Sequence, residues 1–329
     1  MGKKKRNPVR TLVDRANESN TFFLYAGLLV FLIVIWTAMA ILRPETFATS
    51  KNFFNILRQV SIYGILSVGM AVCYIIGGID LSCGAVAGVC GLVLAVTLRI
   101  GIPWPICFLA SVVFGILAGL FNGYLTAFLG MTAFVATMAT EYMWRGVCYV
   151  STNGLPISGL PSWFTGLGSA MWLGIPMQVY FLIVMYLVGG YILGNTKIGR
   201  QWYAVGGNAN AAELSGINVK RTRLLAYAFM GLCAGVAAIL QTARLGSGQP
   251  TAGNGQEFEA LICCSLGGIN GHGGSGSIVG ALLGSLVYGT ISNAMTLLGV
   301  NGYWLMAVKG VVIIVAVLAN LQIAKARKT

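Results

Sequence analysis

Charge is what this sequence most conspicuously lacks: Asp, Glu, Lys and Arg make up 9% of its 329 residues, against about 25% in an ordinary soluble domain. With 57% of the residues hydrophobic, a fold in water could not hide its apolar surface. Acidic groups are scarcer still, 8 against 21 basic ones, for a net charge of +13. In a soluble protein that excess would raise nucleic acid as a partner. Here the basic residues stand in short clusters beside apolar runs, as in the loops that orient a polytopic membrane protein. No nucleic-acid partner is expected.

Histidine is represented by His272 alone, so a zinc site or a Ser/His/Asp hydrolase would have to be built around one residue in a glycine-rich turn. The eight cysteines lie within or at the ends of apolar stretches and form no C-x-x-C pair. They read as small hydrophobes, neither disulfides nor metal ligands. No G-x-x-x-x-G-K-[ST] phosphate loop occurs, and the longest polar stretch, 195–223, is too short to build an ATPase core. The chain is therefore expected to be no enzyme and to bind no metal or cofactor itself. If ATP drives it, the nucleotide and its Mg belong to another chain.

What the sequence has in abundance is apolar runs of membrane-crossing length, about 20 residues each. They predict an all-α polytopic membrane protein of about ten spans, at 22–42, 60–76, 84–98, 104–129, 133–150, 177–193, 224–242, 258–268, 278–298 and 303–321. The first is too long for a signal-peptide core and is read as a retained span. Basic clusters precede span one (Lys3, Lys4, Lys5, Arg6), follow span six (Lys197, Arg200, Lys220, Arg221, Arg223) and close the chain (Lys325, Arg327, Lys328). An even number of spans between clusters puts all of them, and both termini, in the cytoplasm. The expected organisation is a basic N-terminus, 1–21, one transmembrane domain, 22–324, with a cytoplasmic loop at 195–223, and a basic tail, 325–329. Residues 43–59, 99–103, 151–176, 244–256 and 299–302 would face outside.

Local features refine this picture. The 45 glycines concentrate in the spans, as around Gly115 and Gly119 and at Gly280 and Gly284, where small residues let helices approach closely in lipid. Asp80 sits in a glycine-rich break between apolar stretches and is suited to cap a helix beginning near Ser82, with direct solute contact the alternative. Glu141 and Arg145, spaced i,i+4, are expected to pair on one helix face. Lys309 either snorkels to the surface or meets a partner carboxylate. In the polar loop, Asn208 or Asn210 is an N-cap, Ala211, Ala212, Glu213 and Leu214 form about two helical turns, and Gly216 stops them. A helix that short does not persist in water without a docking surface.

Three stretches carry a resemblance. Gly77-Gly78-Ile79-Asp80-Leu81-Ser82-Cys83-Gly84 resembles the G-G-I-D-L-S-V-G signature of the permeases of monosaccharide ABC importers, the ribose-type branch. The loop from Gly194-Asn195-Thr196-Lys197-Ile198-Gly199-Arg200 through Ala211-Ala212-Glu213-Leu214-Ser215-Gly216 is similar to that family's cytoplasmic loop, and Ala243-Arg244-Leu245-Gly246 through Glu257 to Gly267-Gly268 is a third stretch that resembles the family. The likeness runs from about 50 to 320. Glu257-Phe258-Glu259-Ala260 departs from the family's usual E-L-D-A, and Ser275 stands where a basic residue is common, so the solute itself is not carried over.

The resemblance implies a permease subunit in the bacterial inner membrane. An ABC ATPase subunit would be gripped through Asn208, Ala211, Ala212, Glu213, Leu214 and Gly216, and a second permease copy, identical or paralogous, would complete the path. A soluble sugar-binding protein would dock on outer cations, with Lys51, Arg58, Arg99 and Arg244 as candidates, although lipid headgroups are competing partners for such residues. For a neutral polyol, uncharged polar groups suit the path, and Asp80, Ser82, Asn122, Phe134, Thr137, Ser265 and Asn293 are the candidates. An ion-coupled secondary transporter of a small polar solute is the alternative reading.

Overall fold

The computed structural model describes residues 8–304 together with 306–312, 314 and 318. The basic clusters at 3–6 and 325–328 and the end of the tenth expected span lie outside the described residues. The described residues are mostly helical: α1 (Pro8–Leu42), α2 (Pro44–Phe47), α3 (Ser50–Ile75), α4 (Cys83–Arg99), α5 (Trp104–Ala127), α6 (Ala133–Thr152), α7 (Ser162–Leu167), a hairpin of β1 (Met171–Trp172) and β2 (Ile175–Pro176), α8 (Met177–Asn195), α9 (Lys197–Gly207), α10 (Ala209–Leu214), α11 (Val219–Leu245), α12 (Gln256–Leu266) and α13 (Ile278–Leu297). A further apolar helix, Gly302–Val312, follows. Among the described residues, six helices are long and apolar enough to cross a membrane: Phe22–Leu42 within α1, and α3, α5, α8, α11 and α13. The 20-residue α6 has the length but carries Glu141 and Arg145.

The core is built on α3 and α11, the two most deeply buried of the long helices. Helices α4, α5 and α6 pack on one side of them and α8, α12, α13 and α1 on the other. Glycine decides the closest crossing. A Cβ on Gly115 of α5 would strike the Gly231 carbonyl of α11, one on Gly231 would strike Gly115, and one on Gly119 would strike the carbonyl of Tyr227. Likewise, α13 meets α12 where Gly280 faces Gly267 and Gly284 faces Cys263. With no hydrophobic force between helices in lipid, such backbone contact supplies the dispersion that holds them together.

Two expectations need correcting. Helix α3 begins at Ser50, ten residues before the expected span, because Thr49 caps it by accepting from Asn52 N at 3.1 Å; its polar first turns had read as loop. Residues 244–256, expected outside, include the end of α11 and a stretch that folds back into the bundle along α4. There Gly248 packs on Gly91 and Ala95, the Ala252 carbonyl approaches Gly88, and Gly253 abuts Gly84. Missing Cβ atoms on both partners allow this, and irregular backbone is tolerated at depth only when protein covers it. The stretch feeds α12, whose 11 residues span about 16 Å, roughly half a bilayer core.

The connections sort to two ends. At one, the Gly274 N–H donates to Ile75 O at 2.8 Å, and Gly206 of α9 presses on the same carbonyl. At the other, Ile157 and Gly248 form a bridge, and the β1–β2 hairpin turns tightly through Leu173 and Gly174, both at positive φ.

Candidate functional site

The polar segment between α8 and α11 folds as a platform whose every joint is capped. Thr196 accepts from Gly199 N at 3.2 Å at the start of α9. Asn208 accepts from Ala211 N at 3.0 Å to start α10, and Asn218 accepts from Arg221 N at 2.9 Å to start α11. α10 ends in a Schellman turn: Ile217 N donates to Ala212 O at 3.0 Å and Gly216 N to Glu213 O at 2.8 Å, with Gly216 at φ +81°. Helix α9 anchors the platform through buried Trp202, whose Nε1 donates to Thr222 O at 3.0 Å, and through Tyr203, whose hydroxyl donates to Gly276 O at 2.8 Å. Within α10, Ala212 is 4% exposed and faces inward, while Leu214 is 91% exposed and Ala211 and Glu213 also face out. An apolar side chain thus stands exposed on the outer side of a six-residue helix whose inner side, at Ala212, packs on the bundle.

The expected path residues do not gather at one place. Asp80, Ser82 and Asn122 do converge, with Thr140, in a buried network. Asp80 Oδ1 accepts from Ser82 N at 2.9 Å and Ser82 Oγ at 2.7 Å. Asn122 Nδ2 donates to Ser82 Oγ at 2.7 Å and to both Asp80 oxygens at 3.4 Å, and its Oδ1 accepts from Thr140 Oγ1 at 2.7 Å. Asp80 is therefore not the helix cap: Ser82 holds that position without a side-chain capping bond, and Asp80 makes the turn leading into it. Thr137 bonds back to Ala133 O on its own helix, and Phe134 is 57% exposed on the surface of α6. On the far side of α3, buried Ser265 shares a hydrogen bond with Tyr74. Asn293 exchanges amide bonds with Asn52, at 3.1 and 2.9 Å, and so braces α13 on α3.

Among the charged candidates, Lys51 and Arg58 stand on the first turns of α3, Arg99 on the last turn of α4 and Arg244 on the last turn of α11. All four share the end opposite α10. Arg58 Nη2 donates to Ser169 O at 3.4 Å, and Arg58 is close enough to Arg244 for the two to repel. Arg145 Nε lies 3.5 Å from Glu141 Oε1, a long contact, and Nη1 donates to Pro250 O at 3.3 Å and Ala252 O at 2.7 Å. The guanidinium therefore clamps the re-entrant stretch as well as its helical neighbour. Sequence reasoning missed the partner of Lys309: Nζ lies 2.6 Å from Glu259 Oε1, which also accepts from Tyr288 Oη at 3.1 Å. The signal available was Glu259 itself, the second of two acids at the head of an apolar run. Among the described residues no group of His, Cys, Asp and Glu could hold a metal ion.

Comparison with known proteins places this architecture. The model of the family described as "branched-chain amino acid transport system / permease component" matches residues 52–317. The ribose import permease protein RbsC of Escherichia coli K12 is 40% identical over 318 residues, covering 94% of this chain and 98% of the relative. Its counterpart in Bacillus subtilis is 38% identical over 298 residues, 90% of this chain and 91% of the relative. The D-allose transport system permease protein AlsC of Escherichia coli K12 is 34% identical over 300 residues, 91% and 92%. No solved structure matches. Matched from residue 52 to 317 and aligned with relatives over nearly their whole length, this multi-pass, all-α chain of the bacterial inner membrane belongs to the family of transport-system permease components.

Proposed function

We propose that the chain is the permease subunit of an ABC importer that takes up a monosaccharide. The carrying observation is α10, a capped and stopped two-turn helix seated on the bundle through Ala212, with Leu214 projecting from it; an apolar side chain presented on a short helix suits a groove on a partner. In this reading a separate ATPase subunit, which binds ATP and Mg, receives Ala211, Glu213 and Leu214, while Asn208 and Gly216 hold the helix in shape and Ala212 seats it on the bundle. The α10 end is cytoplasmic, the chain crosses ten times and both termini lie inside. Lys51, Arg58, Arg99 and Arg244 then face outward, where acidic groups of a soluble sugar-binding protein complement them. A second permease copy completes the path. The family description names branched-chain amino acids and several relatives name ribose, allose and xylose; the high identity to the sugar permeases and the neutral polar residues favour a monosaccharide.

The test is reconstitution of this chain with its ATPase and binding protein in proteoliposomes, offered ribose, allose, xylose and leucine. ATP- and binding-protein-dependent uptake of a sugar is expected. Uptake of leucine instead, or sugar uptake driven by an ion gradient without ATP, would contradict the proposal.

A further inference from the structure

A partly open cavity of about 300 Å³ lies between α6 and the start of α12, lined by Glu141, Arg145, Tyr142, Tyr149, Glu257 and Phe258 among others. We infer that this cavity is a monosaccharide subsite on the permease, held by the carboxylates of Glu257 and Glu141 and the guanidinium of Arg145. The inference rests on the proposed transport function and assigns a place within it where the solute is bound.

The argument starts from cost. Glu141 and Arg145 occupy the middle turns of the 20-residue α6, and Glu257 is the second residue of α12, so three charges face one another near mid-depth, where ionised side chains are expensive unless paired or facing a polar cavity. Pairing is incomplete. Arg145 is 8% and Glu257 5% exposed, yet Arg145 Nη2 and Glu257 Oε2 have no hydrogen-bond partner among the described residues. Buried polar atoms in native proteins are nearly always satisfied, and the two residues that carry these atoms line the same cavity. Structural work already accounts for the other nitrogens of Arg145, one on Glu141 and one on the carbonyls of 250 and 252; it does not account for Nη2.

The vacant valences specify a ligand class. A guanidinium offers only donors and a carboxylate only acceptors, and a sugar hydroxyl is both, so one polyol can satisfy Arg145 and Glu257 together. A carboxylate solute would be repelled by two acidic residues, and a lipid tail would leave all three charges unsolvated. Tyr142, Tyr149 and Phe258 add apolar faces for the C–H side of a sugar ring, with phenol groups at their rims. The volume falls at the lower limit of small-molecule pockets. Tyr142 and Phe258 are exposed at the surface of the single chain. Gly84 makes the arrangement possible: a Cβ there would strike Glu257 Oε2 and the Gly253 carbonyl.

The test uses the complete importer in proteoliposomes with ribose, allose, xylose and their singly deoxygenated analogues. Glu257→Gln keeps shape and removes the charge; Met138→Trp fills the cavity and leaves every charge in place. Both are expected to lower uptake roughly tenfold or more, Glu257→Gln through loss of a hydrogen bond to a charged group and Met138→Trp through loss of the space the solute occupies, while the assembled complex continues to hydrolyse ATP. In Glu257→Gln the discrimination against at least one deoxy sugar should also vanish, which a purely structural role would not produce. If Glu257→Gln fails to assemble, Met138→Trp decides. Wild-type uptake rates and sugar preference in both variants would overturn the subsite, as would joint loss of assembly and ATP hydrolysis in both. A wild-type complex that moves no monosaccharide would instead refute the transport proposal.

Discussion

Replacing Asn122 by alanine removes the side chain that ties α5 to both α4 and α6. Its amide makes two short bonds, to Ser82 and Thr140 at 2.7 Å each, and two long ones, to Asp80 at 3.4 Å. Neither hydroxyl is stranded by the change, since Ser82 Oγ still donates to Asp80 at 2.7 Å and Thr140 Oγ1 to Thr137 O at 3.1 Å. The loss is therefore that of the bonds themselves, about 0.6 kcal/mol each for interhelical pairs in a membrane protein. To this is added about 1.5 kcal/mol for a donor withdrawn from a buried carboxylate. Together these predict a destabilisation of about 2–3 kcal/mol. Reversible unfolding of the purified chain in mixed SDS micelles measures it. A double-mutant cycle with Thr140→Val isolates the Asn122–Thr140 bond, with an expected coupling of about 0.6 and at most about 1.7 kcal/mol. A cost for Asn122→Ala below 0.5 kcal/mol, or a coupling indistinguishable from zero, would mean that the network is not a brace and that the reasoning from buried satisfaction is wrong here.

Further outcomes follow from other contacts. Gly115→Ala should destabilise the α5–α11 crossing by about 1–3 kcal/mol, because the new methyl meets backbone that cannot turn aside; Gly194→Ala, in open space on α8, should be neutral or slightly stabilising in the same unfolding assay. Asn208→Ala should cost α10 about 1 kcal/mol of capping and reduce sugar-stimulated ATP hydrolysis of the reconstituted complex, with Asn208→Asp restoring it. Unchanged stimulation in the alanine variant would argue against α10 as the contact. Lys309→Met should destabilise by about 3 kcal/mol by leaving Glu259 unpaired in a largely buried setting, and Lys309→Met with Glu259→Met should recover much of that loss. If the double variant is no better than the single one, Glu259 does not depend on this lysine.

Features that rest on near neighbours are legible along the chain. A long apolar run in lipid must satisfy its backbone internally, so it becomes a helix wherever it stands, and each stretch from 22 to 298 read as a span does contain one. The caps of α10 were legible for the same reason, since Asn208 and Gly216 act within three residues of their own positions. The i,i+4 neighbours Glu141 and Arg145 were legible as well, although their contact proved long.

Tertiary structure decided what depends on distant partners. Nothing local requires residues 246–255 to turn inward; that path exists because Gly84, Gly88 and Gly91 clear a track on α4 more than 150 residues earlier. The same holds for the reciprocal amides of Asn52 and Asn293 and for the pairing of Glu259 with Lys309, where a polar residue in an apolar run announces that it needs a partner but not which one. Most of the polar candidates for the path are bonded to one another, to their own helices or to a neighbouring helix. The atoms left unsatisfied, on Arg145 and Glu257, could be recognised only after every nearby donor and acceptor had been placed around them. In a membrane interior the expense of an unpaired charge is a property of the whole surrounding volume, and only the folded chain sets that volume.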